Sequence, residues 1–389
     1  MHNFTYYSPT KVIFGQGMVP KIVPELQKAG ISKVLLLTGG KSVFASGLYD
    51  TITALLRDAG IAFETVSGVQ PNPRLSKARE AVAVAEKIQA QAVIPVGGGS
   101  VFDSAKAIAA SAGSHHDVWD IITRKQKITA ALPIYGILTL SGTSSEINDT
   151  AVINNEETND KMPVAHPLLY PTVSIVDPSL QYTVPLQQVR YGGFDTIVHV
   201  LEAYLAGNDT GEVITEHCEA YLRAAMRCLR ALPEKLHDYE VRSELTFCAT
   251  YAFSGWCGLG RSGRGDFATH RIGHALSAIF DLPHAVTLSV IMPNWMEYVL
   301  DKGLNRDVFA RFGTKVLGVP ENAADPARAA IDAFRDVIHS LDMPSRLRDA
   351  NVPAKDIPAL AENAARTLPF GSVVPMDLAT VTAVLERSL

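Results

Sequence analysis

Two short stretches in the second half of the chain pair metal-binding residue types at the spacing of one helical turn. In the run 192–199, Gly-Gly-Phe-Asp-Thr-Ile-Val-His, Asp195 and His199 are four residues apart. On a helix this puts a carboxylate and an imidazole on one face. His270 and His274 repeat the spacing, and His284 follows in Asp-Leu-Pro-His, just ahead of another apolar segment. An oxygen ligand with imidazoles suits a borderline divalent ion such as Zn²⁺ or Fe²⁺. Each fragment also has a plainer reading. An Asp/His pair is often a surface hydrogen bond, and a lone histidine is often a satisfied core residue. Spacing does not say whether the fragments meet in space.

The first half offers different chemistry. Gly97-Gly98-Gly99-Ser100-Val101-Phe102-Asp103 follows a strand-like apolar run and opens a helix read at 101–110. Glycines let a backbone approach a diphosphate closely, and free N–H groups at a helix N-terminus stabilise its charge. The run is not G-x-G-x-x-G, so it is no standard Rossmann fingerprint, and a tight turn without ligand is the alternative. A second loop, Thr-Leu-Ser-Gly-Thr-Ser-Ser-Glu at 139–146, is rich in hydroxyls that suit phosphate or ribose oxygens. It reads equally well as a cap for the next helix, with Glu146 serving the cap.

The elements that must hold these residues change character along the chain. Short apolar runs at 33–37, 62–66, 92–96, 135–139 and 172–176 alternate with helical spacing such as 75–88, which predicts a mainly parallel sheet covered on both faces. Beyond Pro185 the pattern turns helical, with segments at 213–232, 241–254, 266–280 and 326–341 and hardly any strand signal. Asp325 before Pro326 is a helix start signal. The fold class expected is an α/β, Rossmann-like dinucleotide-binding domain at 1–184, then an all-helical metal-binding domain at 185–389.

Composition narrows the function classes. At 389 residues two domains are the default, and 47% apolar with 19% charged residues suits a soluble globular chain. A net charge of −5 without long basic runs argues against nucleic acid as a partner. Neither a signal peptide nor an apolar stretch of membrane-spanning length is evident. Cys218, Cys228, Cys248 and Cys257 lack any C-x-x-C pairing and read as free thiols of a cytoplasmic protein.

Taken in order, the motifs resemble the iron-containing, group III alcohol dehydrogenases over essentially the whole chain. The resemblance is carried by Phe14-Gly15-Gln16-Gly17, the GGGS-x-x-D run and the T-x-x-G-T-x-S-E loop. It continues through Val176-Asp177-Pro178, Phe194-Asp195-Thr196 with His199, then His270, His274 and Pro283-His284. The segment Asp266-Phe267-Ala268-Thr269-His270 is most like the NADPH-dependent aldehyde reductases also called butanol dehydrogenases.

The resemblance implies an enzyme that transfers hydride between NAD(P)H and an aldehyde–alcohol pair on one divalent metal. It implies Asp195, His199, His270 and His284 as the metal ligands and His274 as a candidate proton relay. It assigns Gly97, Gly98, Gly99, Ser100 and Asp103 to the cofactor diphosphate and nearby ribose, and Thr139, Thr143 and Lys161 to further cofactor contacts. With all four metal positions intact, the metal-dependent branch is favoured over the related maleylacetate reductases. A homodimer is the family expectation. Where NAD-preferring relatives carry an Asp after the first Gly-rich strand, this chain has Thr38-Gly39-Gly40-Lys41-Ser42. Losing that carboxylate removes repulsion against a 2′-phosphate that Lys41 and Ser42 could contact, so NADP(H) is expected over NAD(H). Phe253, Trp256 and Asn148 are candidate pocket residues. The alternatives are glycerol dehydrogenase-like polyol oxidation, a dehydroquinate-synthase-like lyase using Arg261, Arg264 and Arg271, and a non-catalytic nucleotide-binding protein.

Overall fold

The computed structural model describes residues 1–207, 211–261 and 265–389, and by its internal contacts the chain forms two compact units. One comprises Tyr7–Pro185 with Lys235–Thr250; the other comprises Met1–Tyr6, Leu186–Glu234 and Tyr251–Leu389.

The first unit is built on six parallel strands: β1 (Lys11–Phe14), β2 (Lys33–Thr38), β3 (Ala62–Val66), β4 (Ala92–Gly98), β5 (Tyr135–Leu140) and, after a hairpin, β8 (Val173–Val176). The strands lie in the order β1-β8-β5-β4-β2-β3. Their continuous apolar character follows from burial on both faces. Leu35, Leu37 and Val93 pack with Leu75, Ala78, Ala81, Val101, Ala105 and Ile108 on one side. Val34, Leu36 and Ile94 face the other way, toward Ile22, Leu26, Ile52 and Leu56. This alternation is the two-residue period of a strand.

Strand order creates a switch point. From β2 the chain goes to β3 on one flank, and from β4 it goes to β5 on the other, while β2 and β4 are neighbours in register at Thr38 and Val96. In open α/β sheets the crevice beyond such strand ends takes the ligand. The chain leaves β2 through residues 39–41, and β4 passes directly into the helix that begins at Gly99.

The hairpin β6 (Thr150–Asn155) and β7 (Asp160–Ala165) pairs antiparallel and has no counterpart in the periodicity. Pro163 and a polar start to β7 hide its strand character from propensity. The helix read from 101 begins two residues earlier, as Gly99–Ser114.

The second unit has no strand among its described residues. Helix Leu186–Tyr204 packs on helix His284–Asp301, which packs in turn on helix Ala268–Phe280. Every residue from Gly193 to Tyr204 is buried, as suits a helix surrounded by others. Asp325 caps helix Pro326–Ser340 by accepting from the Arg328 amide, as its sequence signal predicts. The helix expected at 266–280 starts instead at Ala268. Phe267 takes a left-handed backbone (φ 54°), and Asp266 spends its carboxylate outside the helix. That carboxylate accepts from the amides of Ala268, Ser372 and Val373, which ties the turn to a distant segment. All four cysteines are free and buried. Among the described residues no helix is long and apolar enough to cross a membrane.

Candidate metal centre and cofactor loops

Three helices of the second unit converge on one oxygen atom. Asp195 Oδ1 is 3.5 Å from His199 Nδ1, one turn further along Leu186–Tyr204. It is 3.8 Å from His270 Nε2 on Ala268–Phe280, and 3.8 Å from His284 Nε2 at the first residue of His284–Asp301. Ligands about 2.1 Å from a tetrahedral ion stand roughly 3.4 Å apart, so the spacings fit a single small cation. One donor atom from each of Asp195, His199 and His270 lies within 4.8 Å of the other two.

The hydrogen-bond accounting supports the fit. Asp195 Oδ1, His199 Nδ1 and His270 Nε2 are buried and make no hydrogen bond. Buried polar atoms are normally paired, so three orphans aimed at each other call for a cation. His284 is the open member, its side chain one-quarter exposed. Aromatic rings wall the other side. Phe253 stacks on His199 at 5.0 Å between centroids, and Phe267 meets His270 edge-on at 5.6 Å. His274, a turn beyond His270, lies 5.7 Å from the His284 ring.

Burial pushes the His199 imidazole down to about 4. Burial also acts to lower His270, but the Asp195 and Glu202 carboxylates beside it outweigh burial and raise that imidazole to about 9. Glu202 is absent from the sequence reading. Its signal was present: it sits three residues after His199 and seven after Asp195, on the same helical face.

The cofactor candidates lie in the first unit, most of them around the ends of β2, β4 and β5, with Lys161 on β7. Thr38 is fully buried, Gly40, Lys41 and Ser42 are exposed, and a Cβ on Gly40 would meet nothing within 4 Å. Three glycines at the junction of β4 and the next helix are closely packed. A Cβ on Gly97 would fall 2.3 Å from Val101 Cγ2, on Gly98 3.1 Å from Leu140 Cβ, and on Gly99 2.3 Å from Thr143 Oγ1. Gly98 precedes the first turn of Gly99–Ser114 without any side-chain cap, and uncapped helix N-terminal amides suit an anion. Ser100 lies in that first turn, half-buried. Thr139 is the penultimate residue of β5, and Thr143 sits in the loop beyond it.

Asp103 and Lys161 are more engaged than spacing suggests. Asp103 accepts from Ser145 Oγ (2.6 Å) and from the Val152 amide (3.0 Å), and burial raises its carboxyl. Lys161, on β7, donates to Asn72 at 2.8 Å. The wholly buried Lys106, lowered to about 8 by burial, donates to Ser145 Oγ, Asn148 Oδ1 and the Thr150 carbonyl, each at 2.8 Å. Asp103 and Lys106 thus lock the hydroxyl loop to the helix that follows the glycines. From the other side Gln181 donates to Ser141 Oγ (2.7 Å), and buried Arg242 holds the Gln181 carbonyl (2.9 Å). Residues 235–250 therefore belong with the sheet, although they lie far along the chain.

Of the candidate pocket residues, Phe253 lies against His199, whereas Trp256 packs on Tyr6 and His217. Asn148 is occupied by Lys106. Arg261, one of the arginines a lyase would need, is buried and donates to the carbonyls of Cys257 (3.2 Å) and Gly207. Arg264 lies outside the described residues.

Residues 9–178 match the family model "Iron-containing alcohol dehydrogenase", and residues 189–389 match "Fe-containing alcohol dehydrogenase family, C-terminal". The chain is 37% identical to NADH-dependent butanol dehydrogenase A of Clostridium acetobutylicum, over the full length of both proteins. It is 31% identical to the NADPH-dependent aldehyde reductase YqhD of Escherichia coli, over 92% of each. The crystal structure of NADH-dependent butanol dehydrogenase A from Thermotoga maritima superposes with a TM-score of 0.96 at 41% identity, covering 100% of this chain and 99% of that one. Motifs, sheet order and a histidine–carboxylate cluster agree with these matches, and the chain belongs to the iron-containing alcohol dehydrogenase family.

Proposed function

We propose that this alcohol oxidoreductase interconverts aldehydes and alcohols with one divalent ion, Fe²⁺ or Zn²⁺, held by Asp195, His199, His270 and His284. The observation that carries the reading is the convergence of buried, hydrogen-bond-free donor atoms on Asp195 Oδ1. An ion bound there supplies Lewis acidity toward the substrate oxygen, and the nicotinamide cofactor supplies or accepts the hydride. The chain's own part is to hold, exclude and move. Phe253 and Phe267 keep water from the inner histidines. His274, half-exposed, is the residue assigned to pass a proton to or from the substrate oxygen.

In the same reading, residues 1–184 bind the dinucleotide and residues 185–389 hold the metal. Gly97, Gly98, Gly99 and Ser100 line the diphosphate, with Thr139, Thr143, Asp103 and Lys161 completing the cofactor site. NADPH is assigned as the preferred cofactor, supported by a 38–42 turn that offers a lysine and a serine and no carboxylate. The relatives' names divide on this point, NADH for the butanol dehydrogenases and NADPH for YqhD, so the ratio of kcat/KM for the two cofactors is the measurement that decides it. A homodimer in the cytoplasm belongs to the same reading; light scattering checks the mass.

Metal analysis of the purified protein, with NADPH oxidation on butanal before and after chelation, tests the whole. About one ion per chain, with activity lost on chelation and regained on reloading, bears the reading out. Full activity in metal-free protein overturns it.

A further inference from the structure

We propose that Glu202 is the positioning residue of the metal centre, holding the Nδ1 proton of His270 and thereby committing Nε2 to the metal. The inference rests on the metal reading above and concerns what aims one of its ligands.

Glu202 is a charged residue in a place that ordinarily excludes charge. Its side chain is fully buried on the helix that carries Asp195 and His199. A carboxylate there must be surrounded by donors. It is: Oε1 is 3.1 Å from His270 Nδ1 and accepts from Thr269 Oγ1, while Oε2 accepts from the Phe267 amide at 2.7 Å. The His270 amide lies 3.4 Å from Oε1, and the Glu202 carbonyl accepts from the Asp266 amide at 3.0 Å.

Capping of helix Ala268–Phe280 does not by itself explain this arrangement. Asp266 already accepts from the Ala268 amide at 3.1 Å. The contact that capping leaves unexplained is the one to the ring. An ionised carboxylate only accepts, so Nδ1 must carry the proton. A neutral His270 then has its lone pair on Nε2, the atom that faces Asp195 Oδ1 at 3.8 Å without a hydrogen bond. The opposite tautomer would set two acceptors against each other at 3.1 Å. A carboxylate behind a ligating imidazole fixes its orientation and raises its basicity, an effect worth about 10–100-fold in metal affinity.

The test compares wild type with Glu202→Gln, using Co²⁺ as the probe. Competitive chelation gives the dissociation constant, the Co²⁺ d–d absorption reports ligand geometry, and the Tm of the metal-free proteins reports folding. A wild type that binds Co²⁺, with a variant that binds it about 10–100-fold more weakly and shows a shifted band, supports the proposal. Equal affinity and an unchanged band overturn it and leave the metal site standing. Weaker binding with an unchanged band and a lowered metal-free Tm also overturns it, because Glu202 is then only structural. A wild type that binds no Co²⁺ overturns the metal reading, and the proposal with it. Should Glu202→Gln fail to fold, wild-type protein loaded with Zn²⁺ and labelled with ¹⁵N-histidine decides. A slowly exchanging Nδ1 proton on a metal-bound ring supports the proposal, and its absence overturns it.

Discussion

Asp195 Oδ1 and His199 Nδ1 lie 3.5 Å apart within a fully buried stretch of one helix, and neither atom makes a hydrogen bond. Leaving a buried carboxylate oxygen without a partner costs several kcal/mol on the usual scale, and a cation shared by both atoms removes that cost. In the proposed metal site, His270 and His284 from the other two helices complete this pair.

In the proposed site His199 is the ligand on the buried side, and its replacement tests that assignment. His199→Ala should lower metal content well below one ion per chain and reduce kcat/KM by about 10³-fold, the scale of losing Lewis-acid stabilisation worth several kcal/mol. Elemental analysis alongside the butanal assay measures both. A variant with full metal and near-normal turnover would take His199 out of the coordination sphere.

Protons compete with the metal at His270. The imidazole sits at about 9 in the metal-free site because Asp195 and Glu202 outweigh the effect of burial, whereas His199 is at about 4 and already neutral. A metal needs the neutral ring, so below pH 9 each binding event displaces a proton. Affinity should fall by about tenfold per pH unit between pH 8 and 6. Dissociation constants for Zn²⁺ at three pH values check the sign, and a flat profile contradicts it.

A methyl group at Gly99 has no room. The added Cβ would stand 2.3 Å from Thr143 Oγ1, so Gly99→Ala must push the glycine turn and the hydroxyl loop apart. Cofactor KM should rise by roughly tenfold or more, with about 1–3 kcal/mol lost in stability. Initial-rate kinetics and thermal melts measure the two effects, and an unchanged KM would place the diphosphate elsewhere.

The turn after β2 tests cofactor choice directly. Gly40 is exposed and a Cβ there meets nothing within 4 Å, so Gly40→Asp is a suitable way to add a carboxylate. Facing a 2′-phosphate it should cut kcat/KM for NADPH by about tenfold or more while sparing NADH. An unaltered ratio of the two would show that the adenosine ribose does not lie at this turn.

His274 separates relay from ligand. His274→Ala should lower kcat by about 10²-fold or more while metal content stays at wild-type level. If the metal is lost as well, the residue supports the site rather than the proton transfer.

Much of this was legible along the chain because the relevant physics is local. Buried parallel strands announce themselves as unbroken apolar runs, and Val34–Leu37 and Ala92–Ile94 are wholly buried as that rule requires. The cap at Asp325 and the crowded glycines after β4 follow from rules that act over a few residues. What escaped was decided by long-range packing. The hairpin β6–β7 is polar and broken by Pro163, so propensity alone misses it. The segment 241–254 reads as one more helix of the C-terminal half. Arg242 and Gln181 instead join residues 235–250 to the sheet.

The sequence by itself determined the residue types of the proposed ligands, the one-turn spacing of Asp195 and His199, and the glycines where strands turn into helices, because helical and strand periods are properties of the local backbone. Only the tertiary structure decided that Asp195, His270 and His284 face one point, and that a fully buried Glu202 stands behind His270. The physical reason is that burial and hydrogen-bond partners depend on which helices pack together, and contacts between residues seventy positions apart leave no periodicity to read.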